Sequence, residues 1–268
     1  MVDMQKEILT IPADSVDLYC EKRGEGPLLI FVTGGTNDCE PYTKVAETLA
    51  DEFTTIIFDM RGGTRSMPRE NKKVTPVMLA GDVAAIIKHL NMGKASVYGC
   101  SSGGQAVLAL GLHYPELVRN MMVHEAALMN DTQIPGIGFE FFKVLNETFG
   151  SKCVGFSPVE VAFNCNVFQA DILSEECKKR LKANGEYWAR YYLGTVDVDS
   201  YTKEDLDKMP NLEFTVGAWT PSHLSYANIA TAELGGKPYR WLPCAHVPHL
   251  SCPDVLVDHI RSTCRKYV

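Results

Sequence analysis

Apolar and polar residues alternate over 6–11 and again over 15–20, with Pro12-Ala13-Asp14 between. This period of two predicts an antiparallel hairpin at a sheet edge. Residues 28–32 (Leu-Leu-Ile-Phe-Val) form an unbroken apolar run ending in Gly34-Gly35, as in a strand covered on both faces. A helical period follows over 42–50, then a second buried strand over 54–58 that runs into the polar turn 59–66. Thr75 predicts an N-cap with Pro76 at the first helical position, for a helix reaching about Leu90. A strand through 95–98, a helix over 105–113 and a strand over 120–123 continue the alternation. Such β-then-α order predicts a mostly parallel sheet with right-handed crossovers, an α/β fold.

From 129 to 211 the pattern changes. Aromatics and cysteines recur at helical spacing over 139–149, 159–168 and 175–192, without a strand signal. Strands resume at 212–216 and 239–242, and a last helix covers 254–266. The expected organisation is a core domain of residues 1–128 and 212–268, with residues 129–211 inserted as a helical cap. Such a cap would lie beyond the carboxyl ends of the strands, where open α/β sheets bind ligands.

Composition narrows the partners. Among 268 residues, 33 are acidic and 26 basic, a formal charge of −7. That balance argues against nucleic acid or an anionic membrane surface. The nine cysteines are odd in number, scattered and free of any C-x-x-C pair, which fits reduced thiols in a reducing compartment. With no basic-then-apolar leader and no apolar run long enough for a bilayer, the expected location is cytoplasmic.

The chemistry centres on Gly99-Cys100-Ser101-Ser102-Gly103, a G-x-S-x-G pattern between a strand and a helix-like run that starts at Gly104. This resembles the nucleophile elbow of α/β-hydrolases, where a strained turn lifts the serine hydroxyl out of the sheet. Glycine two before and two after the serine avoids collisions between side chain and backbone. A serine hydroxyl needs a base. Of seven histidines, His246 comes first in the 244–249 loop after the last strand and is the expected base, with His249 as competitor; His259 reads as a surface residue. The imidazole needs a buried acid. The loop 217–223 holds no carboxylate, so Glu125, at the end of the apolar strand after the elbow helix, is the expected acid. Side-chain alternation predicts that only one of His124 and Glu125 faces the site. Asp59 also ends a strand, but its Asp-x-Arg-Gly context reads as a structural turn. For the oxyanion, the Ser102 N–H and a donor from Gly34-Gly35-Thr36, preferably Gly35, are expected.

Further stretches carry a resemblance: Phe58-Asp59-Met60 with Arg65-Ser66, the Cys100-Ser101-Ser102 elbow, Arg119-Asn120 with His124-Glu125, Tyr187-Trp188-Ala189-Arg190, Thr215-Val216-Gly217-Ala218 with Thr220-Pro221, and the His246 loop ending in Pro253-Asp254. Together they resemble the fungal zearalenone hydrolases, lactonases of the α/β-hydrolase superfamily, over nearly the whole chain. The resemblance implies a Ser101–His246–Glu125 triad that opens the ester of a macrocyclic resorcylic lactone through an acyl-enzyme. It implies that Trp188 hydrogen-bonds the substrate and that Gly34, Val167, Phe168, Ile172, Leu193, Tyr226 and Val247 line the pocket. Leu193 and Asp197 stand where relatives carry proline, and Ser225 and Val247 where they carry aromatics. A small lactone is the expected partner, no metal or organic cofactor is implied, and a homodimer is left open. The competing readings are a carboxylesterase, a C–C bond hydrolase, or a receptor with little turnover.

Overall fold

The computed structural model describes residues 6–35, 37–128, 172–192, 201–220 and 222–268. Strands β1 (Glu7–Ala13) and β2 (Val16–Arg23) form the predicted hairpin, turned by Asp14 and by Ser15 at φ 61°. β3 (Leu28–Val32), β4 (Thr54–Phe58), β5 (Ala95–Cys100), β6 (Val118–His124), β7 (Leu212–Gly217) and β8 (Tyr239–Leu242) complete an eight-stranded sheet in the order β1-β2-β4-β3-β5-β6-β7-β8. β1–β2 and β2–β4 pair antiparallel, and every other neighbouring pair is parallel.

The helices are α1 (Thr43–Leu49), α2 (Pro76–Leu90), α3 (Ser102–His113), α4 (Glu175–Tyr191), α5 (Lys203–Lys208), α6 (Ser222–Leu234), α7 (Pro248–Ser251) and α8 (Pro253–Cys264). Alternation along β3 divides the core between the two faces of the sheet. Leu28, Ile30 and Val32 pack with Val83 and Ile87 of α2 and Val107 and Leu110 of α3. Leu29 and Phe31 pack with Val45 and Leu49 of α1 and Leu256 and Ile260 of α8. Thr75 caps α2 as predicted, its hydroxyl accepting the Met78 N–H.

Several boundaries depart from expectation. A 3-10 turn, Glu40–Tyr42, precedes α1, and α3 begins at Ser102, because the paired glycines after the serine hide the start of the helix from a propensity reading. Helices α5, α6 and the short α7 were not expected, and the loop assigned to 244–249 contains the start of α7. His259, expected at the surface, is buried, with its Nδ1 3.9 Å from Glu213. The expected helices over 139–149 and 159–168 lie outside the described residues. No described helix is long and apolar enough to cross a membrane.

The elbow is tightly built. A methyl group on Gly103 would fall 2.3 Å from the carbonyl oxygens of both Val32 and Thr33, and one on Gly99 would fall 2.4 Å from the Gly103 carbonyl. Backbone cannot yield as a side chain can, so Gly103→Ala is expected to cost at least about 3 kcal/mol of stability, read as a lower urea midpoint.

Candidate active site

Ser101 joins β5 to α3 at φ 58° and ψ −124°, a conformation costly for any residue with a Cβ. Its N–H donates to the His124 carbonyl (3.0 Å), and its own carbonyl accepts from Ala127 (3.2 Å) and Gln105 (3.3 Å). These bonds tie the turn to the end of β6 and hold the strain in place. The side chain remains partly exposed, and Ser102, the first residue of α3, is buried behind it.

Glu125 follows β6 directly and is fully buried. Its Oε1 accepts the Gly217 N–H (2.6 Å) at the end of β7, and its Oε2 lies 2.8 Å from His246 Nδ1. The β7 loop that lacks a carboxylate thus supplies a backbone donor to one arriving from the neighbouring strand. Burial alone would raise the Glu125 pKa. The His246 hydrogen bond, the fields of His124 and His246, and the Gly217 N–H outweigh it and hold the carboxyl below its usual range.

Strand alternation does not extend to Glu125. Glu125 adopts φ 44°, outside the strand conformation, so its side chain is not sent opposite to that of His124. Both turn inward: His124 Nε2 is 3.6 Å from Glu125 Oε2, and His124 Nδ1 is 2.9 Å from the Thr215 hydroxyl. Complete burial holds the His124 imidazole at about 4, against the pull of Glu125.

His246 keeps about a fifth of its side chain exposed. Its carbonyl accepts the Cys100 thiol at 3.3 Å, which sets the histidine loop directly against the elbow. Among the described residues no hydrogen bond joins the Ser101 hydroxyl to the His246 ring; such bonds are often long without substrate and tighten in the complex. The competitor His249 is buried in α7 and stacks on Tyr42, ring centroids 4.0 Å apart, with its pKa pushed down to about 3 by burial. It is a core imidazole. Asp59 is likewise structural: it accepts two 2.7 Å bonds from Arg65 and the Cys39 N–H at 2.9 Å.

A methyl group on Gly34 would stand 3.2 Å from Ser101 Cβ and 3.9 Å from its Oγ, and one on Gly35 would stand 2.7 Å from Trp188 Nε1. The loop after β3 therefore passes between the elbow serine and the indole, and the buried Trp188 Nε1 has no hydrogen-bond partner among the described residues. Val247 is buried beside His246, whereas Ile172 and Tyr226 are mostly exposed (61% and 57%), and no described contact ties them to Ser101. Val167, Phe168, Leu193 and Asp197 lie outside the described residues, as does Thr36. Among the described residues, one group has metal-ligand geometry: Asp38, Glu40 and Cys177 offer atoms within 4.8 Å of one another. Arg180 already pairs with both carboxylates.

The buried imidazoles make acid stability predictable. His124, His249 and His259 are held at about 4, 3 and 4 by burial. Each stays neutral in the folded protein while the unfolded chain takes up a proton below about pH 6.5. Stability is therefore full above that pH and falls as pH drops toward 4, by on the order of 1.4 kcal/mol per pH unit per histidine. The thermal midpoint is expected to fall across this window, and His249→Phe, which keeps the stack on Tyr42, to flatten the fall.

The model of the family described as "alpha/beta hydrolase fold" matches residues 27–152. A zearalenone hydrolase of Cladophialophora bantiana is 32% identical over 270 residues, covering 99% of this chain and 98% of its own. One of Bionectria ochroleuca is 31% identical over 272 residues, covering 95% and 96%. Among solved structures, a thermophilic esterase from Thermogutta terrifontis superposes with a TM-score of 0.71 at 21% identity, over 98% of this chain and 99% of that one. The enol-lactonase from Burkholderia xenovorans gives 0.73 at 15% identity, over 96% and 100%. These last two identities speak for the fold alone.

Proposed function

The chain belongs to the zearalenone hydrolase family of the α/β-hydrolase fold, and from that premise we propose that it is a serine lactonase acting on a macrocyclic resorcylic lactone of the zearalenone type. The observation that carries the reading is the 2.8 Å contact between His246 Nδ1 and the buried Glu125 carboxylate, set against a strained Ser101. In this mechanism His246 Nε2 takes the Ser101 proton as Oγ attacks the ester carbonyl. The N–H groups of Gly35 and Ser102 receive the oxyanion, and the charged Glu125 stabilises the imidazolium. The tetrahedral adduct collapses with cleavage of the carbonyl–oxygen bond, and His246 returns the proton to the leaving alkoxide. Water, deprotonated by the same ring, then releases the acid and restores Ser101.

The leaving alcohol stays tethered to the acyl chain, so ring opening is useful only if water reaches the acyl-enzyme before the ring recloses. Trp188 supports the substrate class. Its indole N–H is a single fixed donor without a described partner, suited to one oxygen on a largely apolar ligand. It stands on α4, part of the helical cap we assign to residues 129–211, and Val247 adds apolar wall beside the base.

The deciding experiment incubates the protein with zearalenone and follows the ring-opened acid by mass spectrometry, with p-nitrophenyl acetate alongside. Steady turnover of the lactone is the expected result. Cleavage of the aryl ester with the lactone left intact would replace the lactonase reading with a carboxylesterase. Binding of the lactone without turnover of either would favour a receptor.

A further inference from the structure

The loop after β3 is held by charges contributed from a distant helix. Asp38, three residues past Gly35, is fully buried. Its Oδ2 accepts Arg180 Nε at 2.6 Å, and its Oδ1 accepts Arg180 and Arg65 terminal nitrogens at 3.3 Å each and the Glu40 N–H at 3.0 Å. Arg180 also reaches Glu40 at 2.7 Å. The loop is pinned on its other side by Asn37, whose Nδ2 donates to the Arg61 carbonyl at 3.3 Å. Arg180 lies on α4. One turn further along that helix, Asn184 accepts the Thr64 N–H at 2.8 Å, and a second turn on, Trp188 abuts Gly35. Positions four apart on a helix share a face, so a single stripe (180, 184, 188) grips the buried acid, the turn after β4 and the glycine loop.

We propose that Arg180 is a positioning residue: by gripping Asp38 it fixes the Gly35 N–H and the Trp188 indole as one rigid unit. The donor for the oxyanion and the donor for the far part of the substrate then keep a constant separation through turnover. This rests on the assignment of Ser101 as nucleophile and of the Gly34-Gly35 loop as oxyanion donor. The physical reason lies in what removing Arg180 leaves behind. The buried Asp38 would be left with Arg65 as its remaining cation among the described residues, and Arg65 is engaged twice by Asp59. The carboxylate must then shift toward Arg65 or toward water, and Asn37 and Gly35 beside it shift too. A displacement of about 1 Å at an oxyanion donor is enough to cost on the order of 100-fold in rate.

The test compares Arg180→Gln, Arg180→Lys and Asp38→Asn on p-nitrophenyl acetate and zearalenone. The control is Arg265→Gln, which removes only an exposed pair with Glu52. On p-nitrophenyl acetate, too small to need the indole, Arg180→Gln is expected to lower kcat about 10- to 100-fold with KM changed less than about threefold. On zearalenone, KM is expected to rise as well. Arg180→Lys keeps the charge but not the two-pronged geometry and recovers part of kcat. Asp38→Asn should act in the same direction as Arg180→Gln, and serves if that variant fails to fold.

A spectroscopic arm separates positioning from general damage. Trp188 is one of three tryptophans, so in a Trp219→Phe/Trp241→Phe background its emission is read alone. Arg180→Gln should move that emission to longer wavelength and increase acrylamide quenching, and Arg180→Lys less so. Unchanged kcat on both substrates, unchanged Trp188 emission, or a loss that merely tracks the unfolded fraction at the assay temperature each overturn the proposal. If zearalenone is not cleaved but the ester is, the substrate assignment fails and the ester arm still decides the role of Arg180. If Ser101→Ala still cleaves the ester, the nucleophile assignment fails and the proposal falls with it.

Discussion

Ser101→Ala is expected to lower kcat/KM by at least about 10⁵-fold on zearalenone and on aryl esters alike, while leaving the protein folded. The size follows from the role proposed for Ser101. Binding and oxyanion donors survive the change and can still provide about 10³- to 10⁴-fold over the uncatalysed reaction, but no oxygen remains to form the acyl-enzyme. The fold should tolerate it because no described hydrogen bond uses the Ser101 hydroxyl. The bonds that hold the turn run through its backbone, to His124, Gln105 and Ala127. Alanine meets the same φ of 58° at no greater cost than serine. The thermal midpoint should stay within about 2 °C of wild type. A fluorophosphonate should label wild type at residue 101 and leave the variant unlabelled. Retention of more than about 1% of wild-type activity, well above what binding and the oxyanion donors account for, would move the nucleophile elsewhere.

Much of this site can be read along the chain, for identifiable reasons. β3 and β4 fall at their expected positions because each is a short apolar or β-branched run closed by a turn, and β8, Tyr-Arg-Trp-Leu, ends as expected before Pro243. The start of α2 is written by Thr75-Pro76. Ser101 and Glu125 draw notice because each directly follows a strand, and His246 because it lies in the loop after the last one; the contact expected between His246 and Glu125 is present. What escapes has physical causes too. The relation between His124 and Glu125 depends on one backbone angle that no periodicity encodes. α6 turns Ser225, Asn228 and Thr231 inward, so its buried face is partly polar and lacks an apolar stripe; Asn228 donates to the Ala126 carbonyl instead. His259 reads as surface from its place on the last helix, yet it neighbours Ile260 on the inner side of α8 and meets a glutamate from a strand 46 residues earlier. Arg180 and Asp38 are 142 residues apart, and only folding reveals them as partners.

Glu125→Gln is expected to lower kcat by about 10³- to 10⁴-fold with little change in KM, through the imidazole it orients. Both carboxylate oxygens accept hydrogen bonds, one from Gly217 N–H at 2.6 Å and one from the His246 ring at 2.8 Å. A carboxamide has one oxygen and one NH₂. If the oxygen keeps Gly217, the NH₂ faces His246 Nδ1, which must then accept. The ring proton moves to Nε2, and that nitrogen can no longer take a proton from Ser101. If the amide flips, two donors confront each other at the Gly217 end, at a cost of about 1–3 kcal/mol. Neither orientation provides the negative charge that stabilises the imidazolium.

Stability carries the same signature with a defined sign. The Glu125 carboxyl is held below its ordinary 4.5, so as pH falls the unfolded chain binds this proton first. The stabilisation is present in full above pH 4.5 and is lost as pH drops through the lowered value. The glutamine variant lacks that contribution, so its thermal midpoint should lie below wild type at neutral pH and converge with it in acid. Glu125→Asp keeps the charge but shortens the reach by one methylene, breaking one of the two bonds, and should fall between the two in kcat. A glutamine variant within tenfold of wild type would show that another carboxylate serves His246. Asp59, already saturated by Arg65 and Cys39, could not take that place without dismantling the β4 turn.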